Sequence, residues 1–274
     1  MKNLLLPILA IAALPLIPTE TAAQFYVVAD DGTVLYRMES GTPAYVTFEN
    51  PNPYNGTVGT AVDLGLPSGT LWADHNIGAT NPEDYGDYYS WGETATKETY
   101  DWSTYFDTND GGNTFEKYNH NGGLTELETS DDVASQTWGG KWQMPTRAMI
   151  EELKSQCYWV WTTTYNGKSV SGYIVYKAKS DTDKGVKVYS DGTPSSDYDV
   201  ATDPHLFLPA AGSRYGSDLN NAGSYGDYWS RSLDPSSSND AYFLDFNSDY
   251  VWDNNANYRY YGFAVRPVVL PAAE

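Results

Sequence analysis

The sequence predicts an α+β protein in which short strands and long loops dominate and two helices are inserted. Three observations carry that prediction. Apolar residues come mostly in short runs closed by Gly, Pro, Asn or Asp, the punctuation of strands and turns. Only two segments combine a capping residue with a credible helical run. The 274 residues include 24 Tyr and nine Trp, enough large rings to build an aromatic core under irregular backbone.

Met1 to Ala23 carries one positive charge at Lys2, an apolar run from Leu4 to Ile17, and small residues Thr21, Ala22 and Ala23. This predicts a secretory signal peptide over residues 1–23. Pro7, Pro15 and Pro18 interrupt a span already too short for a transmembrane helix. No Cys follows the expected cleavage site and no later apolar stretch is long enough to span a bilayer, so the expected chain is secreted or held at the cell surface, without membrane insertion. Residues 24–60 read as a β-hairpin appendage and linker. Two apolar runs, Phe25 to Val28 and Thr33 to Met38, flank Asp30-Asp31-Gly32; a third strand-like piece, Ala44 to Phe48, precedes a Pro/Asn-rich linker. The main domain is expected over residues 61–274.

From Ala61 to Tyr105, turn signals at Pro67-Ser68-Gly69, Gly78 and Asn81-Pro82 separate strand-like pieces. Tyr85-Gly86-Asp87-Tyr88-Tyr89-Ser90 echoes Tyr225-Gly226-Asp227-Tyr228-Trp229-Ser230, which reads either as one turn-to-strand device used twice or as coincidence in a Tyr/Gly-rich chain. The first helix is expected with Ser130 as cap, running from Asp131 to Gln136 and stopped by Gly139-Gly140. The second is expected after Pro145, capped by Thr146, with Met149, Ile150 and Leu153 on one face and its end near Cys157. Strands follow at Tyr158 to Tyr165, Ser169 to Ala178 and Gly185 to Tyr189, then a polar loop from Asp191 to Pro204.

The last quarter sets Leu206-Phe207-Leu208, Trp229, Phe243, Leu244, Phe246, Phe263, Val265, Val268 and Val269 as frame, with Tyr, Asn, Asp, Ser, Arg and Gly between them in no regular period. Turn chemistry accounts for many of the Asn, Asp and Gly residues. It accounts poorly for the eight Tyr between Tyr215 and Tyr261. Tyr offers contact area for few frozen torsions, and Asn, Ser and Asp offer adaptable hydrogen bonding, which is the chemistry of a binding surface.

The formal charge of −20 argues against nucleic acid and anionic membranes as partners. From His205 onward there are eight acidic and four basic residues, so most of the excess acidity lies upstream. Cys157 is the sole cysteine and is expected to be buried. His75, His120 and His205 lack metal-pair spacing and are expected as ordinary surface or loop residues. No nucleophile elbow, phosphate loop, dinucleotide fingerprint or zinc-protease motif occurs. Asp181 and Asp183 with Gly185, or Asp107 with Asn109, are only fragments of a calcium loop. No catalytic residue, metal site or cofactor is therefore expected, although a glycosidase needs only two well-placed carboxylates.

Several spaced motifs recur in order: VDLGLPSGTLWA, NIGAT, PEDYGDYYSWGET, DDVASQTWGGKWQMPT, LFLPAAG, NNAGSYGDYWS, AYFLDFNS and YYGFAVRPV. Together, over about Ala61 to Val268, they resemble the Fibrobacter major paralogous domain family of secreted Bacteroidetes proteins. The resemblance implies a C-type-lectin-like domain with two helices, a twisted antiparallel sheet and long loops, similar to the variable proteins of diversity-generating retroelements. It implies a non-catalytic, adhesin-like protein whose partner is a cell-surface protein or glycan. The ligand-binding positions it implies are Tyr215, Asp218, Asn220, Tyr225, Asp227, Tyr228, Arg231, Tyr242, Tyr250, Trp252, Asp253, Asn255, Asn257, Tyr258, Arg259 and Tyr260. The tyrosines at 225, 228, 250, 258 and 260 with Trp252 are expected as one exposed patch near Arg231 and Arg259. The lectin-like formylglycine-generating enzymes use two active-site cysteines, which Cys157 alone cannot supply. Calcium-dependent lectins carry a Trp-Asn-Asp element, here present only as the reordered Trp252-Asp253-Asn254. A carbohydrate-active enzyme with unassigned carboxylates, or a structural pilus or surface component, are the alternatives.

Overall fold

A computed structural model describes residues 57–190, 192–193, 195 and 197–270, together with the backbone of two strands nearer the N-terminus. The chain divides into two units, Met1–Pro51 and Asn52–Glu274. In the first, β1 (Phe25–Val28) and β2 (Val34–Met38) pair antiparallel, Phe25 opposite Met38, and the expected Asp30-Asp31-Gly32 turn lies outside the described residues. The segment 1–23, the Ala44 to Phe48 piece and the linker up to residue 56 lie outside the described residues.

Among its described residues the second unit is mostly sheet with two α-helices. Its elements in order are β3 (Ala61–Val62), β4 (Leu71–Ala73), α1 (Val133–Thr137), β5 (Trp142–Gln143), α2 (Arg147–Gln156), β6 (Cys157–Thr162), β7 (Gly172–Lys177) and β8 (Lys187–Val188). There follow β9 (His205–Pro209), β10 (Ser213–Tyr215), β11 (Asp218–Asn220), β12 (Gly226–Leu233), β13 (Asp240–Phe246), β14 (Val251–Tyr258) and β15 (Val268–Val269). They assemble as a sheet β3-β4-β15-β5, a sheet β8-β6-β7-β9, a meander β12-β13-β14 and a hairpin β10-β11. The unit's first and last strands thus share one sheet. Ahead of β3, Thr57 and Thr60 are already tied down: His75 Nε2 bonds the Thr57 carbonyl, and the Thr60 N–H bonds Asp74.

Both helices start from capping chemistry. Thr146 caps α2 as expected, its hydroxyl accepting the Met149 N–H at 3.2 Å, and Ile150 and Leu153 are buried. The expected Ser130 cap of α1 is replaced by Asp132, preceded by a single 3₁₀ turn at Thr129–Asp131. Asp132 accepts the N–H of Ser135 and, across the chain, that of Met144. A fully buried carboxylate that stitches the helix start to the end of β5 satisfies more backbone than a surface serine can. Cys157 is buried as expected, and burial pushes its thiol up to about 12.

Leu206–Leu208 and Phe263–Val269, both expected as frame, do not share one sheet. The former forms β9 and the latter ends in β15, in different sheets. Arg266 links them. Its buried guanidinium donates to the carbonyls of Ala73, Asp74 and Phe207 and to Asn76 Oδ1, so it ties β9 to the backbone following β4. Two large apolar clusters result. One joins Ile150, Leu153, Trp159, Tyr173, Leu206, Leu208, Tyr228, Phe246 and Val268; the other joins Tyr89, Trp91, Val133, Trp229, Phe243, Phe263 and Val265.

Long irregular backbone inside a core leaves carbonyls that no ladder satisfies. Buried tyrosines and tryptophans fill that need. Tyr88, Tyr100, Tyr105 and Tyr228 donate their hydroxyls to the carbonyls of Ala211, Tyr88, Trp91 and Pro209, each at 2.6–2.7 Å. Much of the tyrosine excess is therefore frame.

Candidate ligand-binding cleft

The repeated six-residue motif forms one device used twice, on either side of the segment Phe263-Ala264. Tyr89 exchanges both backbone hydrogen bonds with Phe263, while Ala264 bonds Asp227 and Trp229 on its other side. The Trp229 indole donates to the Tyr89 carbonyl, and the Trp91 indole to the Ser230 carbonyl. Each copy needs its glycine. A Cβ on Gly86 would lie 2.3 Å from the Ile77 oxygen, and one on Gly226 would lie 2.0 Å from the Phe246 ring. This device fixes the strand that leads into the tyrosine-rich segment before it.

At the end of that segment a cleft of about 740 Å³ opens, lined by Asp101, Trp102, Ser103, Thr108, Asn109, Gly111, Tyr215 and Tyr260. Three distant parts of the chain meet there. Tyr100 and Gly216 exchange both backbone hydrogen bonds, which fastens the Asp101–Gly111 loop beside the β10-β11 hairpin. Asp101 caps a short turn, Oδ1 accepting from the Ser103 N–H at 2.8 Å and hydroxyl at 2.6 Å. Gly112 lets the loop lie flat on the indole, since a Cβ there would sit 2.7 Å from the Trp102 ring.

The aromatic wall is continuous. Trp102 meets Tyr260 edge to face at 4.7 Å; Tyr260 stacks near Tyr258 at 5.6 Å and Tyr261 at 4.9 Å; Tyr215 stacks on Tyr261 at 5.3 Å. Tyr215 and Tyr258 remain 52% and 46% exposed. Exposed rings held by other rings are rigid contact surface that solvent does not reward.

The single exposed patch expected from the sequence is split. Tyr250 and Trp252 stack at 3.8 Å at the start of β14, and Tyr258 lies at its end, roughly 20 Å away at about 3.3 Å per residue. Near the first end, Asn255 donates to Asp245, and Asp253 pairs with Lys154. Asp218 and Asn220 are exposed on β11 near the cleft. Tyr225 and Asn257 are half-buried. Tyr242 lies elsewhere, its ring 4.2 Å beneath the Arg147 guanidinium.

Four expected display residues are corrected to buried positions. Tyr228 is held by Pro209 and stacked on Phe246. Asp227 is buried opposite Asp245 in the β12-β13 register. Arg259 is fully buried, paired with Asp107 at 3.3 Å and lying 3.9 Å over the Phe115 ring. Tyr260 is buried too, although its ring lines the cleft. Arg231 is also turned inward, donating to Gln143 and the Leu127 carbonyl and facing Asp132. Tyr228, Arg231 and Arg259 each reach a partner distant in sequence, which makes their burial tolerable, although Arg231 Nε and Arg259 Nε and Nη2 are left without a hydrogen bond.

Asp101, Trp102, Ser103, Thr108 and Asn109 were not legible as site residues. The available signal was local: Asp101 three residues before Thr104 is a capping pattern, and Asn109-Asp110-Gly111-Gly112 is a turn. The calcium-loop fragments have other employment. Asp107 accepts Arg259 and the N–H groups of Lys117 and Tyr118, Asp181 pairs with Lys184, and Asp183 accepts the Tyr198 hydroxyl. Among the described residues, no three or more His, Cys, Asp or Glu side chains converge as metal ligands would. The histidines are corrected in one case: His75 is buried between Asp74 and the Thr57 carbonyl. His120 bonds Ser238, and His205 bonds Tyr165.

Among the described residues, no helix is long and apolar enough to cross a membrane. No family model, curated protein or solved structure matches the chain.

Proposed function

We propose that this chain is an exported, non-catalytic binding protein. Its second unit is a C-type-lectin-like frame of the Fibrobacter major paralogous type, presenting the Trp102–Tyr215–Tyr260 cleft to a ligand on a cell surface. The observation that carries the reading is the continuous aromatic wall beside polar loop groups, with the Tyr215 and Tyr258 rings of that wall about half exposed. Support for the frame comes from the order of the sequence motifs, the meeting of β3, β4 and β15 in one sheet, and the two helices set among long loops. The N-terminal segment supports export. Asp227 and Asp245, a pair of neighbouring carboxylates, do not line the cleft and belong to the frame.

The test is binding of the fluorescently labelled full mature chain to intact bacterial and epithelial cells by flow cytometry. Wild type is expected to stain one class of cell saturably. Tyr215→Ala is expected to lose that staining with an unchanged melting temperature, because the ring is mostly in water. Undiminished staining by this variant and by Trp102→Ala would remove the cleft from the function.

A further inference from the structure

Resting on the reading of the cleft as the binding site, we infer that its ligand is a neutral, hydroxyl-rich carbohydrate and not a protein epitope or an acidic polymer. The chemistry of the walls divides in two. One side is aromatic, with Trp102 and Tyr215 offering ring surface that suits the C–H face of a sugar ring. The other is formed by Asp101, Thr108 and Asn109, short polar side chains whose donors already bond within the loop, Thr108 to Asp110 and Asn109 to Glu116, so that this wall offers chiefly oxygen acceptors to the hydroxyls of a sugar.

Three exclusions narrow the class. The lining holds no Lys or Arg, so a phosphate, sulfate or uronate would enter without a counter-charge, against Asp101 and a chain of formal charge −20. A wholly apolar ligand would strip water from Asp101 and Asn109 without replacing it. A protein epitope meets a broad face with aromatic and Arg anchors, whereas here Arg231 and Arg259 are turned into the frame. A neutral sugar satisfies both walls. The volume of about 740 Å³ falls within the roughly 300–1,000 Å³ of small-ligand sites and leaves room for more than a single small group.

Binding should not need a metal. The lining contributes one carboxylate, Asp101, and its Oδ1 is engaged by Ser103, whereas a calcium site takes about six to eight oxygens from a shaped loop.

The experiment titrates the full mature chain against an array of immobilised oligosaccharides. It carries neutral chains of glucose, mannose, galactose and N-acetylglucosamine, and oligouronides, with and without EDTA. At least one neutral series should bind, insensitive to EDTA, with affinity reduced tenfold or more by Tyr215→Ala and by Asp101→Asn. Wild-type melting should be kept in Tyr215→Ala. Preference for oligouronides, or EDTA-sensitive binding, overturns the inference. So does an array silent throughout while the protein still stains cells and loses that staining with Tyr215→Ala; in that outcome the cleft remains the binding site and its ligand is a protein. Neutral-sugar binding untouched in Tyr215→Ala and Trp102→Ala would instead overturn the assignment of the site itself.

Discussion

Replacing Asp227 by Asn tests how the frame carries buried charge. Asp227 and Asp245 face each other across β12 and β13 at 8% and 7% exposure, and neither enters an ion pair among the described residues. The groups around them are neutral: Ser213, Asn255, and the hydroxyls of Tyr228 and Tyr250. Burial, and secondarily the Asp245 charge, push the Asp227 carboxyl from an ordinary 3.8 up to about 7. The folded state therefore holds this proton more tightly than the unfolded chain does. The resulting stability is fully present below about pH 4, declines as pH rises, and is lost above about pH 7. At 1.36 kcal/mol per pH step the full span is about 4 kcal/mol, of which about 2.5 kcal/mol falls between pH 8 and pH 5. Urea denaturation of wild type and Asp227→Asn at those two pH values reads it directly. The wild type should gain about 2.5 kcal/mol more than the variant on going from pH 8 to pH 5, and the variant should be the more stable at pH 8. A variant less stable by the same amount at both pH values would refute the reasoning, because Asp227 would then be an ionised, well-partnered group.

Other outcomes follow from the same packing. Phe263→Ala removes a ring 4.2 Å from Trp229 and 4.9 Å from Phe243 and should cost about 3–5 kcal/mol by denaturant titration. Arg259→Met leaves Asp107 buried without its cation and should cost about 3–5 kcal/mol, far more than Asp218→Ala on the open hairpin. Tyr228→Phe strands the Pro209 carbonyl and should cost about 1–3 kcal/mol while leaving cell staining intact. Thermal melts with calcium or with EDTA should superimpose; a large chelator-sensitive shift would reveal a metal-binding role for the acidic loops.

Local chemistry was legible wherever the deciding partner was near in sequence. Thr146 and the Met149-Ile150-Leu153 face specified α2, and the two short apolar runs at Phe25–Val28 and Val34–Met38 specified the β1-β2 pairing. The α1 cap was not, because Asp132 wins through Met144, which belongs to another segment. The same distance explains the binding surface. Tyr, Asp and Arg read as polar display because their composition suits a binding surface, yet Tyr228 answers to Pro209, Arg259 to Asp107 and Arg231 to Gln143. No period in the sequence records those pairings. Tyr215, Tyr258 and Tyr260 were among the positions that the family resemblance implied. Trp102 and Asp101 were missed because their loop reaches the hairpin through contacts distant in sequence, the Tyr100–Gly216 backbone pair first among them. The repeated Tyr-Gly-Asp motif lay open in the sequence, but its meaning, two copies flanking one strand, needed the fold.

The most direct measurement sets the cleft against the exposed aromatic stack at the start of β14. Tyr215→Ala and Trp252→Ala each remove a ring about half in water, at the cleft and in that stack respectively, so neither should shift the melting temperature by much. Cell staining by the two variants, compared with wild type at equal concentration, should fall at least tenfold for Tyr215→Ala and stay unchanged for Trp252→Ala. Loss with Trp252→Ala and full retention with Tyr215→Ala would contradict the account and move the binding site to the Tyr250–Trp252 stack.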